Sequence, residues 1–280
     1  MRVKTLALAT ALRMAVMMPP QSTARAQDGD PESGPDSGRE MGTRNWTDWN
    51  ITIGLGTAYE PVSPGIDEEE FEILPFVDIE YLDRFFLKSE RGLGAYVLRS
   101  QDGPEYGFGF AIGYDAGREE SDARRELDGL GDIDPSAEAI FFAEGEVGPV
   151  ELELELAQGL GSDGHGGFRG EVSAGIEAPI FDRLALGAGP FLTFADSQYM
   201  GSYYGVTSGQ AARSSRFERY DADGGLESYG IEATARLKLT QNWSLIGFAA
   251  YTRLAGDAKD SPIVENEGFF SGGAIVAYTF

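Results

Sequence analysis

From Trp49 onward, apolar residues alternate with small or polar ones at a period of two. Between Trp49 and Tyr59 the odd positions hold Trp49, Ile51, Ile53, Leu55, Thr57 and Tyr59, and the even ones Asn50, Thr52, Gly54, Gly56 and Ala58. Successive side chains of a β-strand point to opposite faces, so the pattern predicts a strand with one greasy face. Tyr106 to Asp115 repeats it: Tyr106, Phe108, Phe110, Ile112 and Tyr114 alternate with Gly107, Gly109, Ala111, Gly113 and Asp115. Between Val150 and Leu156 the second face is charged, because the apolar residues alternate with Glu151, Glu153 and Glu155. Phe168 to Ile180 sets Val172, Ala174, Ile176 and Ile180 against Arg169, Glu171, Ser173 and Glu177, and Ile231 to Leu239 sets apolar residues against Glu232, Thr234, Arg236 and Lys238. The fold class is therefore all-β. A soluble barrel and a membrane barrel share this alternation with the faces exchanged, so periodicity leaves open which face meets water.

Three features turn the choice toward a transmembrane β-barrel. Aromatic residues sit at both ends of strands, where a membrane barrel carries its girdles. The last stretch, Phe270, Gly272, Ala274, Val276, Tyr278 and Phe280, alternates to a terminal aromatic residue, resembling the insertion signal of outer-membrane barrels, with Tyr278 and Phe280 as its carriers. The N-terminus supplies the third: Met1-Arg2-Val3-Lys4, a mostly apolar run from Leu6 to Met18, and Ala24-Arg25-Ala26 form the three parts of a secretory signal. Residues 1–26 are expected to be a signal peptide cleaved after Ala26, residues 27–45 a flexible acidic leader with too little apolar surface to fold, and residues 46–280 the barrel. Nowhere else does an apolar run reach the roughly 18 residues of a spanning helix.

Loop lengths give a strand count. Long connections are expected near residues 60–69, 116–136, 196–224 and 255–267, and short ones near 82–83, 101–104, 147–149, 181–183 and 240–242. Bacterial barrels have an even number of strands, short periplasmic turns and long outer loops. With Phe280 in the periplasm, the long connections all land outside if Phe85 to Arg99 is split into a hairpin at Glu90-Arg91-Gly92. The expected architecture is an antiparallel barrel of about twelve strands, closed by the C-terminal strand.

Composition narrows the partners. Twenty-two Lys and Arg face 46 Asp and Glu, for a formal charge of -24, and the longest basic cluster is the pair Arg124-Arg125. Nucleic acid, which needs a basic stripe, is excluded as a partner. The absence of cysteine removes disulfides, thiolate metal sites and cysteine nucleophiles together.

Candidate chemistry is sparse. His165 is the single histidine and lies in Ser162-Asp163-Gly164-His165-Gly166-Gly167, read as a solvated turn lacking the rigid support of a catalytic triad. Asp132 and Asp134 resemble the start of a calcium loop without the bidentate Glu in register. Gly187-Ala188-Gly189 precedes no helix and is no dinucleotide fingerprint. No catalytic residue, metal site or cofactor is expected. Glu151, Glu153, Glu155, Arg169, Glu171, Glu232 and Arg236 are read as the lining of a watery lumen, where the glutamates would favour cations.

Other segments carry a resemblance. Asp196-Ser197-Gln198-Tyr199-Met200, Tyr203-Tyr204-Gly205-Val206-Thr207, Arg253-Leu254-Ala255-Gly256-Asp257-Ala258, Asp260-Ser261-Pro262-Ile263-Val264 and the closing Ala277-Tyr278-Thr279-Phe280 resemble the MipA/OmpV family. Asp83-Arg84-Phe85-Phe86 and Gly129-Leu130-Gly131-Asp132-Ile133 are similar to it as well. The resemblance covers the chain from about Trp49 and implies an outer-membrane barrel in a lipid bilayer. Founding members are described as scaffolds binding a murein hydrolase and a murein synthase, others as porin-like, adhesive or osmotically regulated, so partners of the first kind are an expectation. The expected function is a non-enzymatic envelope scaffold, and the alternative is a porin-like channel for small cationic solutes. Residues 196–225 and 257–264 are expected to form one outward unit, with Asp196, Tyr199, Tyr203, Tyr204, Asp257, Asp260 and Ser261 as candidate interaction residues. The tyrosines give it enough apolar area to pack as a pore cap or to meet a partner.

Overall fold

The computed structural model describes residues 49–100, 105–162 and 164–280. The expected signal peptide and acidic leader lie outside them. Twelve strands run β1 (Trp49–Pro61), β2 (Glu69–Tyr81), β3 (Phe85–Lys88), β4 (Gly92–Ser100), β5 (Tyr106–Asp115), β6 (Ser136–Val147), β7 (Val150–Gly159), β8 (Phe168–Phe181), β9 (Leu184–Ala195), β10 (Gly225–Lys238), β11 (Trp243–Leu254) and β12 (Gly268–Thr279). Each pairs antiparallel with its neighbour, and β1 meets β12 in register from Thr52 opposite Thr279 to Tyr59 opposite Gly272, which closes the barrel. Closure leaves no free edge along this seam, the condition for β structure in a bilayer. Three short helices lie in the long connections: α1 (Ser197–Tyr203), α2 (Ser208–Arg213) and α3 (Gly256–Lys259).

The greasy positions face out. Phe110, Ile112, Ile176, Ile231 and Val276 are exposed, while Gly109, Ala111, Glu232 and Ala277, their immediate neighbours on the same strands, are buried. Aromatic pairs mark both rims. Trp49 packs against Tyr81 and Trp243 meets Tyr278 edge-on at the short-turn end, and Tyr59 meets Phe71 and Tyr251 meets Phe270 at the long-loop end. These are the two girdles of an outer-membrane wall.

The hairpin of β3 and β4 is much shorter than its neighbours. Its first pair with β2 is Lys88 opposite Asp78, so β2 from Glu69 to Val77 runs on beyond it. Two details blunt that bare edge: Ser89 Oγ accepts the Val77 amide at 2.8 Å, and Pro75 has no amide to leave unpaired. Gly92 turns the hairpin at φ 85°, and a Cβ there would run into the Ile112 carbonyl oxygen, so glycine is required twice over. The shortness of this hairpin is what carries the Glu90-Arg91 turn into the barrel instead of to its rim.

Candidate functional site

Between β2 and β7 the interior is packed and its charges are paired with one another. Arg91, only 3% exposed, donates through Nε to Glu155 at 3.2 Å and through Nη2 to Glu153, reaches Glu144 at 3.5 Å, and stacks its guanidinium 4.1 Å above the Phe142 ring. Tyr96 donates to Glu144 at 2.7 Å, Arg99 lies 4.4 Å over the Tyr96 ring and pairs with Glu80 at 3.2 Å, and Lys88 pairs with Glu80 at 2.8 Å. One network thus runs from β2 to β7. Phe86, Tyr96, Ala111, Ile140, Phe142 and Ala157 pack around it, and a second apolar cluster of Leu74, Phe76, Phe191, Ile246, Phe248 and Ile275 fills the other wall.

The expectation of a watery glutamate lining is corrected here. Glu153, Glu155, Glu171 and Glu232 do point inward, but all four are buried. A carboxylate removed from water is held by a cation or by hydrogen bonds, and Arg91 answers Glu153 and Glu155 while Arg169 answers Glu171 at 3.6 Å. Glu151 and Arg236 are only partly buried. Gly109 faces inward with no room, since a Cβ would strike the Ala95 carbonyl oxygen and the Phe142 ring.

Over the long-loop end sits a folded cap. Asp196 accepts the Tyr199 amide at 2.8 Å and starts α1. Thr207 and Gln210 form a reciprocal capping box that starts α2. Tyr199, Met200, Tyr203 and Tyr204 then pack with Ile133, Ala222, Leu254 and Ala258 in one cluster, and Val62, Ile66, Leu127, Leu130, Val206, Phe217 and Ile263 form a second. The two segments expected to act as a unit touch directly: Ser261 Oγ donates to the Tyr204 carbonyl at 2.6 Å, Tyr220 donates to the Asp257 carbonyl at 2.8 Å, and the Asp223 amide reaches the Asp257 carboxylate at 2.8 Å. Asp260 is exposed on the same connection. Tyr278 and Phe280 lie at the opposite end, ring to ring at 4.9 Å.

Tyr199, Tyr203 and Tyr204 are buried, so their rings are unavailable to a partner. Tyr203 donates to Asp115 at 2.7 Å and Tyr204 to Glu227 at 2.8 Å, and Glu227 also holds Arg169 at 3.1 Å. Burial, reinforced by the neighbouring carboxylates, holds all three phenols well above their ordinary range. Burial pulls the Arg118 guanidinium down, and it donates to the Tyr203 carbonyl at 3.2 Å.

His165 also departs from expectation. It is 1% exposed and wedged edge-on against Tyr199 with ring centroids 5.0 Å apart. Its Nδ1 accepts the Gly167 amide at 3.2 Å, and its Nε2 faces Glu138 at 3.2 Å. Ser202 Oγ donates to the His165 backbone carbonyl at 3.3 Å and not to the ring. Asp132 spends Oδ1 on the Glu120 amide at 2.8 Å, an ordinary loop bond.

A model of the family described as MltA-interacting protein MipA matches residues 53–280. The chain is 32% identical over 103 residues to the outer membrane protein Omp26La of Vibrio anguillarum, a stretch covering 36% of this chain and 39% of that protein. It is 32% identical over 105 residues to the outer membrane protein OmpV of Vibrio cholerae, covering 36% of this chain and 40% of that one. Both alignments therefore span well under half of the relative. Among solved structures, Pseudomonas putida OprB at high pH aligns with 12% identity and a TM-score of 0.39 over 74% of this chain and 59% of that chain.

Proposed function

Since this chain belongs to the MltA-interacting protein MipA family, we propose that this outer-membrane barrel is a closed, non-enzymatic scaffold that holds a murein-remodelling enzyme, rather than a pore. One observation carries the reading: from β2 to β7 the interior charges are turned onto one another. A conducting path needs water and fixed charges facing it, whereas Glu153 and Glu155 are held by Arg91, Tyr96 closes on Glu144, and the cap buries Tyr199 and Tyr204 over the mouth. The family's name supports an interaction with MltA, a lytic transglycosylase, and we carry that interaction to this chain. Parity sets the long-loop cap outside and the short turns at 82–84, 148–149, 182–183 and 239–242 toward the periplasm, where such an enzyme works.

A cation channel is the second reading, favoured by Glu151, Glu146, Glu177 and Glu105, which lie close enough together to act on one another. Planar-bilayer recording and affinity capture from native envelopes separate the two. A scaffold is electrically silent and retains a murein hydrolase or synthase. Regular cation-selective steps, with no such enzyme retained, would overturn it in favour of the channel.

A further inference from the structure

We propose that Asp115, Glu138 and His165 form a zinc-type divalent metal site that clamps the cap to the barrel. The three come from separate elements: Asp115 ends β5, Glu138 is the third residue of β6, and His165 sits on the connection between β7 and β8. One ligand atom of each lies within 4.8 Å of the other two, and His165 Nε2 is already 3.2 Å from Glu138 Oε1. Ligands about 2.0 to 2.2 Å from a tetrahedral zinc stand about 3.4 Å apart, so closure asks only for a carboxylate rotation of roughly an ångström.

The residues around Asp115 suit this task. Asp115 Oδ1 takes both the Tyr203 hydroxyl at 2.7 Å and the Gly117 amide at 2.9 Å, which fixes the carboxylate and leaves Oδ2 for a cation. Oriented outer partners of this kind are what metal carboxylates ordinarily have. Gly117 makes its bond from a φ of 70°, where a Cβ would collide with the Ile133 carbonyl oxygen. Among the described residues neither Asp115 nor Glu138 forms an ion pair with lysine or arginine, although Asp115 is only 4% exposed. Two carboxylates and an imidazole nitrogen are the oxygen and nitrogen donors that a divalent zinc takes. A separate observation points the same way: Ser136 faces Asp115 across the β5–β6 ladder, lies against Gly164, and its Oγ is buried with no hydrogen-bond partner. A water in the fourth zinc position would supply one. Without metal, the Gly167 amide on Nδ1 puts the ring proton on Nε2. Metal binding moves that proton to Nδ1 and gives up the long Gly167 contact, in exchange for neutralising two carboxylates.

The inference does not rest on the scaffold reading and is tested without it. The full barrel is extracted in detergent, its fold checked by heat-modifiable gel mobility, stripped with chelator and titrated with zinc chloride by calorimetry, while limited proteolysis follows the cap. One zinc per barrel is expected, with slower cap cleavage, and Asp115→Asn and Glu138→Gln should each weaken binding about tenfold or more. Glu138→Gln keeps its size and a bond to His165, so it decides the matter if Asp115→Asn fails to fold. Absence of saturable one-to-one binding, or binding unchanged in Glu138→Gln, would overturn the site. Zinc bound with no change in cap cleavage would overturn the clamp.

Discussion

Replacing Arg91 with methionine asks directly whether the barrel interior is a dry network or a wet passage. The guanidinium is 3% exposed and answers Glu144, Glu153 and Glu155 at once. Methionine keeps much of the packing against Phe142 but leaves the Glu153 and Glu155 carboxylates without their cation. Removing one partner of a buried pair costs roughly 3 to 5 kcal/mol, because the cost is the stranded charge rather than the lost contact. Against a total stability of about 5 to 15 kcal/mol that is a large share. Urea titration in lipid vesicles, followed by tryptophan fluorescence and by heat-modifiable mobility, reads the loss. The triple variant R91M/E153Q/E155Q should recover most of it, since neutralising the acids removes what methionine stranded. A loss below about 1 kcal/mol for R91M alone is the value of a solvent-exposed pair. That result would mean water already screens Arg91, and the closed-interior argument would fail with it.

Three further outcomes follow from the same geometry. Phe110, 58% exposed on the outer face, should cost roughly 2 to 4 kcal/mol as Phe110→Arg near mid-bilayer, measured by refolding titration in lipid; indifference to the charge would reverse the facing of β5. The phenols of Tyr199, Tyr203 and Tyr204 are raised in the folded cap, so their contribution is complete below the unfolded tyrosine value of about 10 and is lost as pH rises above it. Absorbance at the tyrosinate band should then show three late-titrating phenols that ionise as cap proteolysis accelerates. Because the chain has no cysteine, paired Asp223→Cys and Asp257→Cys should cross-link in intact cells and react with an impermeant thiol reagent. Labelling only after envelope rupture would place the cap in the periplasm.

Much of the wall was legible because a lipid-facing strand repeats its demand every second residue. The sets sharing a face around Ile53, Phe110 and Val276 could be read from alternation, their outward facing came from the aromatic strand ends and the terminal Phe280, and the split at Glu90-Arg91-Gly92 matches the short β3. The interior was not legible in the same way. Arg91 meets partners 53 to 64 residues away, and no local period encodes such a meeting. A usable signal was nevertheless present in the aromatic doublets. In Phe85-Phe86, Phe141-Phe142 and Phe269-Phe270 neighbouring rings must point to opposite faces, so one of each pair has to enter the barrel. Phe86 and Phe142 are indeed buried in the interior cluster, and Phe269 packs against the cap cluster.

The cap tyrosines show why loop composition alone could not choose between a lid and a contact surface. Both uses need large amphipathic rings, and the choice is made by carboxylates at strand ends that sit far off in sequence. Tyr203 spends its hydroxyl on Asp115 of β5, 88 residues before it, and Tyr204 on Glu227 of β10, 23 residues after it. With those groups committed downward, the cap extends the barrel interior upward. What it turns outward is charge: Arg213, Glu218, Arg219, Asp221 and Asp260 are exposed. Such groups guide encounters and are screened within a Debye length of about 8 Å at physiological salt, while adding little affinity by themselves. A partner held tightly and independently of salt must therefore find its apolar anchors elsewhere than on this face, which is a reason internal to the molecule for seeking the proposed scaffold surface at the short-turn end.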